Sequence, residues 1–130
     1  GWPGAVGACA LCWRMKLSAL LESAEPGILN LQEAAQSSAS GIVSRTVLDA
    51  DQLRVTLFSF AAGQSLTEHA TPARALVQIL SGSCEFVLAG KASVLKAGDF
   101  VHMPPGALHA VRATEAFTML LTLLRPSSDA

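Results

Sequence analysis

Nine short stretches of this chain alternate polar and apolar residues or run apolar between turn-forming residues: 42–48, 52–60, 65–71, 74–80, 83–89, 92–96, 100–103, 108–113 and 116–124. Segments of this length, punctuated by Gly, Pro, Asp and Ser, predict strands, and their succession predicts an antiparallel all-β domain. Asp49-Ala50-Asp51 and Ala89-Gly90-Lys91 read as hairpin turns. Ahead of Gly41 the pattern is different. Leu17–Glu22 predicts one weak helical turn, followed by Pro26-Gly27 and then Ile28–Gln36, which ends in a Ser-rich linker; the whole reads as an entry arm. Three segments follow: 1–14, read as a non-native or disordered extension ahead of an ordinary start at Met15; 15–40, an N-terminal arm and linker; and 41–130, the β-domain.

Alternation also sorts side chains by face, because residues two apart in a strand point the same way. Thr67, His69 and Thr71 share one face; Ala75, Val77 and Ile79 share another; His109 and Val111 share a third. Glu85 is ill suited to an interior, so Cys84, Phe86 and Leu88 point inward. His102 has the opposite parity from Val101 and Met103, and its direction depends on which set packs the core. Glu68 and Arg74 read as a solvated pair, Gln78 as an outer-face residue and Asp99 as the cap of its own turn.

Composition changes this picture little. With 130 residues and 51% hydrophobic content, the chain supplies one sizeable core. Nine Lys and Arg against ten Asp and Glu give a net charge of -1, which excludes a field that would recruit nucleic acid or anionic membrane. The apolar runs at 55–62 and 116–124 are too short to span a bilayer as helices, which takes about 20 residues. A cytoplasmic protein is expected. Cys9, Cys12 and Cys84 form no disulfide framework, and Cys9-x-x-Cys12 has no partner pair to make it a redox or zinc motif. Apolar residues on both faces of several strands lead to the expectation of a homodimer that covers the surplus face.

The chemistry concentrates in two glycine-punctuated stretches. Gly63-x5-His69 leads through Ala75 to Gly82, and Gly98-x5-Pro104-x-Gly106-x2-His109 delivers a histidine after a Pro-Pro-Gly bend. Together they resemble the two motifs of the cupin superfamily, over roughly residues 41–124. The resemblance implies a double-stranded β-helix, the RmlC-like jelly-roll barrel, with His69 and His109 facing one cavity. The first motif is degenerate: Thr71 and Ala75 stand where the family has a second histidine and a glutamate, and Ala113 replaces the closing asparagine of the second.

Two functions follow from that resemblance. In one, the barrel binds an apolar or weakly polar small molecule, oriented by His69 and His109, in a pocket that Thr67, Thr71, Ala75, Cys84 and His102 help to line. In the other, the protein is a metal-dependent dioxygenase or isomerase in which His69 and His109 hold one Fe, Mn, Ni or Zn ion. Catalytic metal sites normally use three protein ligands, and a third is not evident here.

Overall fold

The computed structural model describes residues 18–36 and 39–126. Nine strands form in chain order: β1 (Ile42–Ala50), β2 (Leu53–Phe60), β3 (Ser65–His69), β4 (Arg74–Ser81), β5 (Ser83–Leu88), β6 (Lys91–Lys96), β7 (Phe100–Met103), β8 (His109–Arg112) and β9 (Phe117–Leu124). Every predicted strand is present, with ends that coincide or shift by at most two residues. The first hairpin turns at Asp51-Gln52, one step later than expected, because Ala50 still pairs with Leu53. No helix among the described residues is long and apolar enough to cross a membrane. The extension 1–14, with Cys9 and Cys12, lies outside the described residues.

All pairings are antiparallel and build two facing sheets, β1-β2-β9-β4-β7 and β3-β8-β5-β6. This is the expected jelly roll, and among the described residues its strands pair as two separate sheets rather than as one closed sheet. Between them lies a core of alternate inward residues: Phe58 and Phe60 from β2, Ala75, Val77 and Ile79 from β4, Cys84 and Phe86 from β5, and Phe117, Met119, Leu121 and Leu123 from β9. Phe60 and Phe117 stack with ring centroids 4.6 Å apart.

Two backbone features pin the sheets together. Gly82 links β4 to β5 at φ +75°, and a Cβ there would stand 2.2 Å from the Ala116 carbonyl oxygen, so only glycine fits this crossing. The turn between β6 and β7 is held by Asp99, whose carboxylate accepts the Lys96 N–H at 2.8 Å, as expected of a turn cap. Its backbone is tied to β4 through the Ile79 amide and carbonyl.

The arm departs from expectation. Ser18–Glu22 is not helical, and a helical turn forms instead after Pro26-Gly27, α1 (Leu31–Ala34), capped by the Asn30 side chain accepting from Glu33 N–H. So short a helix is not stable alone. Instead Leu20, Leu21, Leu29, Leu31, Ala34 and Ala35 pack on the outer face of the five-stranded sheet, over Val47, Val55, Leu57, Leu80 and Leu120. A bulge between Thr46 and Leu48 accompanies this docking, and the Thr46 and Val47 carbonyls accept N–H groups of Leu20 and Leu21. Arg45 adds a side-chain hydrogen bond to the Ala34 carbonyl. The chain's own arm thus lies on one of the apolar strand faces that led to the expectation of a partner copy.

Candidate functional site

His69 ends β3 and His109 begins β8, and the two are register partners. Their approach depends on a bulge. Ser65 pairs with Arg112 and Leu66 with Val111, yet His69 pairs with His109, so β3 spends one residue more than β8 over the same ladder. The extra residue breaks strict alternation. Leu66 and His69 both turn inward, while Thr67 and Glu68 are exposed. Thr67 therefore does not share the face of His69, as parity alone had it.

The bulge aims the Thr67 carbonyl back at the imidazole: His69 Nδ1 lies 2.6 Å from that oxygen. The bend before β8 does the same for the second ring, with His109 Nδ1 3.1 Å from the Ala107 carbonyl. A carbonyl only accepts, so each Nδ1 carries the proton and each lone pair sits on Nε2. The rings meet edge to face, centroids 3.9 Å apart and planes at 66°. His109 is 1% exposed.

Burial sets the charge of this pair. Desolvation lowers the pKa of His69 from its ordinary value, partly offset by the bond to Thr67. Desolvation also lowers that of His109, against the bond to Ala107 and with further lowering from the neighbouring His69. Both rings are neutral at pH 7.

The other candidates divide. Ala75 is fully buried on the inner face of β4, where it brings no donor atom. Thr71 lies beyond β3, half-buried; its hydroxyl accepts from Ala73 N–H and its carbonyl from Gly106 N–H, which ties it to the bend that presents His109. Cys84 points inward as expected but at the wrong depth. His109 pairs with Leu88, four residues along β5, which puts Cys84 about 13 Å away at 3.3 Å per residue. Burial, and then the charge of Asp99, push its thiol up to about 11, so it is no nucleophile at neutral pH. His102 faces outward, paired in register with Leu76, and its Nε2 accepts from Arg74 at 2.6 Å. Arg74 thus engages His102 and not Glu68.

Phe86 belongs to the site although its sequence context marks it only as packing. Its ring lies nearly parallel to that of His109, planes at 9° and centroids 6.3 Å apart. The register that brings β5 beside β8 decides this, and no local pattern encodes it.

Two antiparallel sheets enclosing a histidine pair, one from each glycine-punctuated stretch, define a double-stranded β-helix protein. The chain belongs to the cupin domain family, whose model matches residues 56–123. It is similar to a conserved Streptococcus pyogenes protein of unknown function, with 31% identity and a TM-score of 0.74 over 86% of this chain and 98% of that one. It is also similar to a cupin 2 conserved barrel domain protein from Leptotrichia buccalis, with 36% identity and a TM-score of 0.70 over 75% of this chain and 47% of that one. Among curated proteins it resembles an uncharacterized protein of Aquifex aeolicus, 39% identical over 51 residues. That match spans 39% of this chain and 42% of the relative.

The donor set among the described residues does not fit a resident metal ion. Among the described residues no group of three or more His, Cys, Asp or Glu could hold one, and Thr71 and Ala75 stand where further ligands would be needed.

Proposed function

We propose that this cupin binds a small molecule bearing a hydrogen-bond donor, held inside the sandwich by the neutral imidazoles of His69 and His109 and needing no resident metal. The observation that carries this reading is the shared tautomer. Both Nδ1–H groups are committed to backbone carbonyls, so in each neutral ring Nε2 is the nitrogen able to accept, and the two rings stand side by side in a buried setting. A hydroxyl or N–H of a ligand suits such a pair; a carboxylate at neutral pH does not.

The alternative is the metal-dependent enzyme with His69 and His109 as ligands. It draws support from the same bonds, since metal-binding histidines usually donate their other ring N–H to a carbonyl. Elemental analysis separates the two. Untagged protein purified without chelator or immobilised nickel should carry far less than one ion per chain, and native mass spectrometry should show a small-molecule adduct that is lost in His109→Ala. Near-stoichiometric metal that disappears in His109→Ala would overturn the metal-free reading.

A further inference from the structure

Two turns flank the histidine pair, and one residue joins them. Thr71 lies two positions after His69, in the connection from β3 to β4. Its hydroxyl accepts the Ala73 N–H at 3.2 Å, and Ala73 is 3% exposed, so the hydroxyl satisfies a backbone donor that water scarcely reaches. Pro72 between them has no N–H to compete and disfavours helical backbone at Thr71.

The second turn leads into His109. The Ala107 N–H donates to the Pro104 carbonyl at 3.1 Å across Pro105 and Gly106, and the Gly106 φ of +87° at the third position makes this a type II turn. The Gly106 N–H is left outside that bond and donates to the Thr71 carbonyl at 2.9 Å. The next carbonyl along, that of Ala107, is the one that faces His109 Nδ1 at 3.1 Å. A series of bonds thus runs from the Ala73 amide, through the hydroxyl and the carbonyl of Thr71, to the His109 ring.

We infer that Thr71 is a positioning residue of the histidine pair: its hydroxyl sets the first turn, its carbonyl holds the second, and through the second it fixes the acceptor that selects the His109 tautomer. Thr71 stands where the first motif has a second histidine, so in this chain the position supplies orientation in place of an imidazole. His69 lies outside this series, because its acceptor is the Thr67 carbonyl in the β3 bulge. The two rings therefore answer differently to loss of the hydroxyl. This role is the same whether the pair takes a small molecule or a metal ion.

Imidazole nitrogen NMR at pH 8 and amide hydrogen exchange on the full chain read this out, with Thr71→Val removing the hydroxyl at nearly constant shape and Thr71→Ser keeping it. In Thr71→Val the two His109 nitrogen shifts should converge as its tautomers mix, His69 should stay in the Nδ1–H form, and the Gly106 amide should exchange about ten-fold faster. Thr71→Ser should keep the parent pattern in all three. A hydroxyl that only shapes its own turn would confine the changes to Ala73 and its neighbours, and a general loosening would disturb both rings alike; either result, or a Thr71→Ser protein as altered as Thr71→Val, would overturn the assignment. Should Thr71→Val fail to fold, Thr71→Ala makes the same comparison. The parent alone gives a further check: a scalar coupling across the hydrogen bond from the Gly106 N–H to the Thr71 carbonyl carbon is expected, and its absence would overturn the assignment whatever the variants do.

Discussion

Replacing Thr71 with His and Ala75 with Glu should turn the interior into a metal site, and the cost of doing so can be worked through. Ala75 is fully buried opposite Met103, so a carboxylate there loses its hydration with no cation to replace it. An uncompensated buried charge costs about 3–5 kcal/mol, a large part of the roughly 5–15 kcal/mol that holds a small domain together. The double variant without metal should therefore melt well below the parent. A divalent ion at a hundred times its dissociation constant returns about 2.7 kcal/mol. For a domain of this size that corresponds to a rise of roughly 10 °C in melting temperature. The assay is thermal unfolding of chelator-treated protein with and without zinc, manganese or nickel. The parent, with two imidazoles alone, should show little change. A parent that responds as strongly as the variant would refute the argument that the site lacks donors; a variant that never responds would show that positions 71 and 75 do not converge on the histidines.

Four further outcomes follow from the same geometry. Both histidines titrate below their ordinary value of 6.5 in the folded chain, so the unfolded chain takes up protons first as pH falls. Stability from this source is complete above pH 6.5 and drains away as pH drops toward the lowered native values; urea unfolding from pH 8 to 5 should show that loss, and His69→Gln/His109→Gln should flatten it. Gly82→Ala drives a Cβ into the Ala116 carbonyl at a positive φ, and urea unfolding should show a loss of about 3–5 kcal/mol, combining left-handed strain with a displaced β9. Ala89 holds φ at +51° next to Gly90 in a two-residue hairpin, so Ala89→Gly or Ala89→Asn should gain about 0.5–1 kcal/mol, read as a higher melting temperature. With Cys9 and Cys12 changed to Ser, the Cys84 thiol should react with a disulfide reagent only after unfolding; prompt reaction in native buffer would contradict its burial.

The strands were legible because each is short and bounded by residues with their own turn chemistry, and the histidine pair because two glycine-anchored spacings agreed. What alternation missed has one common cause, the absence of register from a local pattern. At Thr67 the inserted residue of β3 reverses the parity count, and only the pairing of His69 with His109 reveals it. At Cys84 parity gave the right face, but depth along the barrel is set by which β5 residue meets His109. At His102 parity left two answers until Val101 and Met103 took the core. The arm was misread for a different reason: the helical turn forms at Leu31–Ala34 and not over Ser18–Glu22, because the arm's leucines are stabilised by lying across Leu57 and Leu120, which are distant in sequence.

The two histidines reach their common tautomer by unrelated local routes, and this makes the neutral pair a property of the fold rather than of either residue. In β3 a bulge turns the carbonyl two residues back toward the ring; in β8 the bend through Pro104, Pro105 and Gly106 does it. Neither carbonyl can donate, so neither ring can present a proton on Nε2 without also becoming charged, and burial opposes the charge. For the small-molecule site proposed above, the expected consequence is selectivity set by proton count: at neutral pH the pair should favour a hydroxyl over a carboxylate, and once acid protonates one ring the preference should invert toward anions. Phenol binding should therefore weaken, and benzoate binding strengthen, as pH is lowered through the range where the imidazole resonances titrate. If both ligands instead keep the same affinity across that range, the imidazoles do not contact them.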